Sequence, residues 1–368
     1  MPTQPLWQWP LTQDVLFEIM LNTIKTYLKG ICMGVADVIP GISGGTLALM
    51  LGVYERLIAS IKSISPKVIL KLLKNIQIWD KTKRQEFIQT LNEFNAFFLF
   101  TLGFGIISAI LATSSIIPHL ILNHTANTFS CFLGLIAPSI YIPWSLIKKK
   151  SAPQMVALAI GLILTVSMAA LMKDGAAGEA TKHSFPIMAT VLFGSAVIAI
   201  SAMILPGISG SFILILLGQY IVVTGLIAKL KVDILNKTLT EEKMAALSHI
   251  QHFSTLEAFT LLSIFAIGCA CGLLIMSRIV HFALQKAHDT TMAFLTGMIC
   301  SSFYVLWPFK EAISDGVKKS DWLKNAANVI PSLDSKTWIS ISLFAVTFMV
   351  STSIVYIGER KKNDTPST

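Results

Sequence analysis

The stretch ADVIPGISGGTLALMLGVYERL, residues 36–57, interrupts an apolar run that would otherwise suit one membrane helix. Pro40 lacks an amide donor for a helix, and Gly41, Gly44 and Gly45 allow the chain to turn and pack closely. Backbone that leaves the helical conformation at membrane depth is tolerated only where protein buries it or a polar cavity surrounds it. The stretch therefore predicts a broken membrane helix that serves a polar site.

The same interruption returns in AMILPGISGSFILILLGQY, residues 202–220, where Pro206 and Gly207 begin a second copy of PGISG. A glycine and a tyrosine follow each copy at the same offset, namely Gly52 and Tyr54, and Gly218 and Tyr220. Further along, FLGLIAPSIY at 132–141 resembles FLTGMICSSFY at 294–304. Because an odd number of crossings is expected between the two interruptions, the halves are predicted to be inverted repeats, as in transporters with discontinuous helices.

The composition is that of a membrane protein. Of the 368 residues, 54% are hydrophobic and 13% are charged, whereas soluble domains carry about 25% charged residues. Apolar runs long enough to cross a hydrocarbon core are predicted at 96–122, 128–147, 154–172, 256–284, 290–309 and 337–357, with broken regions near 31–60 and 186–228. The predicted fold class is therefore an all-α polytopic membrane protein.

The formal net charge of +9 is explained by basic residues that orient the protein in the membrane. The basic residues cluster in loops beside the apolar runs, and no basic stripe interleaves with aromatic residues, which argues against nucleic-acid binding. The most basic loop, 62–93, is predicted to lie in the cytoplasm, and SPKVILKLLKNI within it predicts a cationic helix on the membrane surface. Counting crossings from this loop places both termini in the cytoplasm.

Four regions are predicted from these patterns. Residues 1–30 form an interfacial helix, because apolar residues recur there at helical spacing among polar ones. Residues 31–172 form the first transmembrane repeat, which includes the amphipathic loop 62–93. Residues 173–357 form the second, inverted repeat, and residues 358–368 form a cytoplasmic tail.

The segment after each break begins at a serine, Ser43 or Ser209, which is a residue type that caps helices. Free amide groups at a helix start, together with the positive end of the helix dipole, suit an anion such as phosphate or carboxylate. Two such helix starts, one from each side of the membrane, are expected to converge on one anionic headgroup.

Three ionisable residues near these segments each have two interpretations. Asp37 is either a proton carrier or a hydrogen-bond anchor for the turn, because charges at membrane depth are costly and usually functional. Glu55 either couples transport to protons or pairs with another residue at the interface. Arg278 either binds a phosphate bidentately or anchors the cytoplasmic edge. The second copy has Met203 in place of Asp37, so acid chemistry is expected in the first copy alone.

These motifs resemble those of a bacterial membrane family of polyprenyl-phosphate transporters, the PopT family, formerly described as a domain of unknown function. The resemblance covers about Gly30 to Tyr356 and rests on GVADVIPGISGGTLALMLGVYERL and ILPGISGSFILILLGQY. It implies that undecaprenyl phosphate returns from the outer to the cytoplasmic leaflet of the bacterial inner membrane, where the carrier is reused for cell-envelope glycans such as peptidoglycan. The family's motif residues correspond here to Asp37, Pro40, Gly41, Ser43, Gly44, Gly45, Thr46, Pro206, Gly207, Ser209, Gly210 and Ser211.

A lipid flippase needs an anion site that is reached from both membrane faces and opens sideways to lipid. Our hypothesis assigns phosphate binding to Ser43, Gly44, Gly45, Thr46, Ser209, Gly210 and Ser211, with Arg278 as a counter-charge. The breaks are assigned to Pro40, Gly41, Pro206 and Gly207. Asp37 or Glu55 is the expected coupling residue, for protons or another ion. The expected partners are the polyprenyl-phosphate lipid and the bilayer, with no cofactor and no metal site.

Two other function classes remain open. A transporter of a small soluble anion, or an ion exchanger, would use the same site without an opening to lipid. A membrane enzyme acting on lipid phosphate would need acids with metal spacing or a histidine-rich pattern, and the sequence has neither. GISGG at 41–45 fits the letters of a serine nucleophile elbow, but that motif needs a preceding strand and a nearby histidine and acid. The chain is therefore expected not to be an enzyme.

Overall fold

The structure is a computed structural model, and it describes residues 13–38, 43–75, 81–113, 116–173, 184–235, 253–312, 326–332 and 334–363. Helices dominate these ranges. In chain order they are α1 (Gln13–Val38), α2 (Gly44–Met50), α3 (Tyr54–Ser63), α4 (Pro66–Lys74), α5 (Lys81–Glu93), α6 (Ala96–Thr113), α7 (Ile116–Asn123), α8 (Thr125–Ile136), α9 (Tyr141–Ser145), α10 (Ala152–Lys173), α11 (Phe185–Ile204), α12 (Gly210–Leu216), α13 (Tyr220–Leu235), α14 (Thr255–Lys286), α15 (His288–Cys300), α16 (Ser302–Val305) and α17 (Ser335–Asn363).

Two smaller elements complete the described fold. A 3₁₀ turn, Ala137–Ile140, joins α8 to α9. Two short strands, β1 (Lys310–Ala312) and β2 (Ala326–Asn328), pair in antiparallel fashion between α16 and α17.

Within the described ranges, α6, α11, α14 and the run from α8 to α9, Thr125–Ser145, are long and apolar enough to cross a membrane. A fifth span results if α2 and α3, which are bent by 116° at their junction, are counted as one. The structure thus confirms a helical, multi-pass membrane protein with a broken helix pair. The predicted run 128–147 is divided between α8 and α9, and 290–309 is divided between α15 and α16. The run 96–122 contains α6 and α7, and residues 114–115 between them lie outside the described ranges.

α1 ends later than the helix that the sequence predicted at 1–30. It continues past Gly30 to Val38 and packs parallel to α6. Gly30 lies against the backbone of Leu102, and Gly34 lies one turn further along, against the backbone of Ile106. A Cβ on Gly30 would stand 2.3 Å from the Leu102 carbonyl oxygen, so glycine permits this close backbone approach. The boundary predicted at residue 30 therefore falls inside α1.

α11 and α14 form a second parallel pair of the same kind. Gly268 lies against Phe193, and Gly272 lies one turn further along, against Val197. A Cβ on either glycine would meet a backbone oxygen of α11 at 2.7 Å or less. Each broken segment thus follows the first helix of a glycine-packed parallel pair.

Two further helix pairs join the halves of the chain. Gly134 of α8 lies against Phe344 and Thr347 of α17, and Gly297 of α15 lies against Leu158 of α10. Each pair combines a helix that precedes residue 173 with one that follows it. The two predicted repeats are therefore interlocked, and their packing holds both broken segments in one buried apolar core.

α4 has the amphipathic character that its sequence predicted. Ser65 caps it by accepting a hydrogen bond from the amide of Val68, and no residue of α4 is buried. Leu70 and Leu73 are exposed, and Nζ of Lys71 lies 2.8 Å from an oxygen of Glu93 on α5. An exposed apolar face flanked by lysines is typical of a helix that lies on a membrane surface.

Candidate functional site

The start of α2 is fixed by two side chains. Oγ of Ser43 accepts a hydrogen bond from the backbone amide of Gly45 at 3.1 Å, which is the contact expected of a capping serine. Oδ1 of Asp37 accepts one from the amide of Gly44 at 2.7 Å. A Cβ on Gly44 would stand 2.8 Å from both carboxylate oxygens, so a larger residue would push the carboxylate away.

Both ends of α2 are held by charged residues of α1. The Asp37 carboxylate stands at the first turn of α2, and Nζ of Lys29 donates a hydrogen bond to the Leu51 carbonyl oxygen, 2.8 Å away at the other end. The negative charge thus lies at the positive end of the α2 dipole, and the positive charge at its negative end. Sequence reasoning did not single out Lys29, although the signal was a pair of opposite charges, Lys29 and Asp37, at the two ends of an otherwise uncharged part of α1.

The second break is a turn that requires glycine. Gly207 follows the buried Pro206 and has a φ of +89°, a backbone conformation that favours glycine. A Cβ on Gly207 would also stand 2.5 Å from the carbonyl oxygen of Met298. Pro206 and Gly207 thus form the turn between α11 and α12, whereas Pro40 and Gly41 lie outside the described residues.

α2 and α12 have the same length and the same ends. Each has seven residues, beginning at Gly44 or Gly210, and each is preceded by a serine in extended conformation. Each is also followed by a glycine with positive φ, +66° at Gly52 and +68° at Gly218. The repeated sequence motif therefore produces a repeated local structure.

The start of α2 contacts the second break directly. Oγ of Ser43 donates a hydrogen bond to the Met203 carbonyl oxygen at 3.0 Å, and the amide of Gly207 donates one to Oγ1 of Thr46, also at 3.0 Å. Ser43 and Thr46 are buried, with at most 1% of each exposed. These hydroxyls thus satisfy a carbonyl group in the last turn of α11 and an amide in the turn that follows it, as irregular backbone at membrane depth requires.

The start of α12 is chemically different from the start of α2. Within the described part of the chain, no side chain caps α12, and Oγ of Ser209 lies 2.8 Å from Oγ of Ser211. Ser209 is buried, and Ser211 is exposed. Met203 occupies the place that Asp37 has before α2, and a Cβ on Gly210 would lie 3.4 Å from the Met203 Cβ. The α12 start therefore presents hydroxyls and a helix terminus without a carboxylate of its own.

Arg278 and Glu55 have other partners. The Arg278 guanidinium donates hydrogen bonds to the carbonyl oxygens of Leu274, at 2.7 Å, and Ile64, at 3.0 Å. It thereby ties α14 to the end of α3. Oε1 of Glu55 lies 4.0 Å from Nε2 of His288, and its side chain is 63% exposed. Among the described contacts, neither residue bonds to the helix starts of α2 and α12.

The groups that meet at the two breaks are hydroxyls, backbone amides and one carboxylate. Hydroxyls and amides are suited to hydrogen-bond an oxyanion. In the part of the chain that the structure describes, no three or more histidine, cysteine, aspartate or glutamate side chains cluster in a way suited to hold a metal ion.

Comparison with known proteins shows the family of this chain. A family model described as VCA0040-like, undecaprenyl phosphate translocase-like, matches residues 33–322, which include both breaks and the contact between them. The chain belongs to this family. The resemblance inferred from the two PGISG motifs is thereby confirmed.

Two relatives of this translocase-like family member carry the name polyprenyl-phosphate transporter. The relative in Vibrio cholerae serotype O1 is 34% identical over 300 residues, which cover 82% of each chain. The relative in Staphylococcus aureus is 28% identical over 288 residues, which cover 76% of this chain and 85% of the relative. No solved structure matches the chain.

Proposed function

We propose that this protein moves undecaprenyl phosphate from the outer to the cytoplasmic leaflet of the bacterial inner membrane, so that the carrier is reused in envelope glycan synthesis. Membership of the family and the names of two relatives support polyprenyl phosphate as the substrate. The observation that carries the proposal is the direct contact of the α2 start with the second break inside a membrane protein, through Ser43 and Thr46. This contact concentrates hydroxyls and backbone amides where a lipid's phosphate has to cross.

The proposed topology follows from the repeated elements. The halves are inverted repeats, which is supported by the equal lengths of α2 and α12 and by the two glycine-packed pairs, α1 with α6 and α11 with α14. The basic loop 62–93 and both termini face the cytoplasm, in accordance with the positive-inside rule. Inverted breaks give the phosphate equivalent approaches from the two leaflets.

The phosphate is proposed to bind first at the α12 start. Ser209, Gly210 and Ser211 offer hydroxyls and amides there without a competing carboxylate, and Ser211 is exposed. At the α2 start, the amide of Gly44 already donates a hydrogen bond to the carboxylate of Asp37, which occupies the place that a bound oxyanion would take. The residues from Ser43 to Thr46 are therefore expected to take the phosphate after this carboxylate has withdrawn.

Asp37 is the proposed link between transport and protons. Protonation would remove the negative charge that competes with phosphate for the helix start, and release of the proton would restore the contact with Gly44. Glu55, beside His288, is the alternative coupling residue. Arg278 uses two of its donors on carbonyl groups, and a guanidinium has five, so it retains donors for its proposed role as counter-charge.

Transport into proteoliposomes tests this function. Purified protein is reconstituted, and the movement of undecaprenyl phosphate between leaflets is compared with the uptake of inorganic phosphate. The wild type is expected to move the lipid and not free phosphate. In the Ser43→Ala/Ser209→Ala variant, the loss of two hydroxyl contacts to a charged group is expected to slow lipid movement at least about tenfold.

A matched control removes two exposed hydroxyls instead. Ser167→Ala/Ser353→Ala deletes hydroxyls that bond within their own helices, and it is expected to transport like the wild type. Wild-type rates in the Ser43→Ala/Ser209→Ala protein would refute the site. Transport of free phosphate at a rate similar to that of the lipid would instead indicate a soluble-anion transporter.

A further inference from the structure

A cluster of three cations lies beside the α2–α3 bend, away from the two helix starts. Lys29 donates to the Leu51 carbonyl oxygen, and Lys25 lies one turn before Lys29 on α1, while Arg56 lies in the first turn of α3, five residues after Leu51. The Arg56 guanidinium stands over the ring of Phe98, 4.2 Å from its centroid. Lys25 and Arg56 are exposed, and Lys29 is partly buried. We call Lys25, Lys29 and Arg56 the basic cluster.

The basic cluster has no carboxylate partner in the described ranges. None of its three cations takes part in an ion pair there, and the acid adjacent to it in sequence, Glu55, lies beside His288. Like charges that gather without a counter-charge repel each other, and an anionic ligand would offset that repulsion. The arrangement therefore favours a bound anion.

The surface around the basic cluster is apolar and open. α1 and α6 run parallel, with Gly30 against Leu102 and Gly34 against Ile106, so Lys25 lies close to the level of Phe98. At this level α6 exposes two aromatic side chains and α1 exposes two aliphatic ones, namely Phe97, Phe100, Ile24 and Leu28. The cations thus adjoin a surface that suits lipid chains, which favours an anion that carries an apolar tail.

We propose that Lys25, Lys29 and Arg56 form a second binding site, for the phosphate group of a lipid phosphomonoester whose chain lies along α1 and α6. The site rests on the proposed function, because that function supplies such a lipid. α6 begins directly after the basic loop 62–93, so the basic cluster lies toward the same end of the molecule as that loop. In the proposed topology it receives the headgroup after passage between the helix starts.

Native mass spectrometry of the full-length protein tests this site with undecaprenyl phosphate as the probe. The wild type is expected to bind two lipid molecules. Lys25→Gln/Arg56→Gln is expected to lose the second one, with the corresponding Kd raised about tenfold for each cation removed. The matched control is Lys67→Gln, which removes one charge from the exposed face of α4 and is expected to leave both binding events unchanged.

The outcomes separate this inference from the proposed function. If the wild type binds no undecaprenyl phosphate, the proposed function fails. If it binds two molecules and Lys25→Gln/Arg56→Gln also binds two, the basic cluster is not a site, while the function stands. Competition by phosphatidylglycerol at equal concentration would overturn the preference for a monoester, and competition by inorganic phosphate would overturn the requirement for a lipid tail. Ser43→Ala/Ser209→Ala is expected to retain the molecule held by the basic cluster.

Discussion

The hydrogen bond between Thr46 and Gly207 gives the sharpest test of how the two breaks are held together. The Gly207 amide donates to Oγ1 of Thr46 at 3.0 Å, in a place where Thr46 is 1% exposed. Thr46→Val keeps the shape of the side chain and removes the acceptor, so the amide is left buried and unpaired. Such a loss costs about 1–3 kcal/mol. We expect the free energy of unfolding to fall by this amount and transport to fall with it.

The assay is thermal unfolding of the purified protein followed by transport at a temperature where every variant is folded. Thr46→Ser keeps the hydroxyl and loses one methyl group, worth about 0.8 kcal/mol, and should therefore transport nearly as well as the wild type. Thr190→Val makes the same chemical change at an exposed site whose hydroxyl bonds within its own helix, and it should have little effect. The hydrogen bond is not important if Thr46→Val has the stability and transport rate of the wild type. The same holds if Thr46→Ser loses as much stability and transport as Thr46→Val.

Two further predictions concern the second turn and the start of α17. Gly207→Ala, which combines a φ of +89° with a Cβ 2.5 Å from the Met298 carbonyl oxygen, should lower the free energy of unfolding by about 1–3 kcal/mol. The control is Gly194→Ala, where no atom lies within 4 Å of the added Cβ, so this variant should be neutral or stabilising. Equal melting temperatures for the Gly207→Ala and Gly194→Ala proteins would contradict the prediction. Hydrogen bonds from Thr337 hold the pKa of Asp334 below its ordinary value, so this contribution to stability is present above about pH 4 and is lost as the pH falls further. The protection factor of the Thr337 amide, which is the intrinsic exchange rate divided by the measured one, should fall in acid for the wild type and be low at every pH for Asp334→Ala. Equal pH profiles of the protection factor would argue against the cap.

Much of the site was predictable because its determinants are local. Ser43 caps α2 as its residue type and position indicated, since capping depends on the neighbouring amides alone. Gly207 lies in the turn that the motif PGISG marked, because few other residues adopt its φ. For Asp37, the structure shows the hydrogen-bond anchor that was one of its two interpretations.

Contacts between residues that are distant in the sequence could not be predicted from local sequence patterns. Arg278 was considered for phosphate binding, yet it bonds to the carbonyl oxygen of Ile64, more than two hundred residues away in the chain. Lys29 was not singled out, because its partner is the carbonyl at the far end of α2 and no residue pattern marks a backbone oxygen. The end of α1 was also placed too early, since the part of α1 beyond residue 30 is stabilised by packing against α6 through Gly30 and Gly34.

The sequence by itself determined the class of protein, the places where membrane helices break, and the capping of α2 by Ser43, whereas Ser209 does not cap α12 with its side chain. Hydrophobicity, proline, glycine and serine act over a few residues, so their consequences can be inferred without knowing which segments pack together. The tertiary structure alone decided that Ser43 and Thr46 bond to the backbone of the second break, and that Lys25, Lys29 and Arg56 gather on one surface. These contacts depend on the relative positions of whole helices, which are set by glycine-mediated packing between segments distant in sequence.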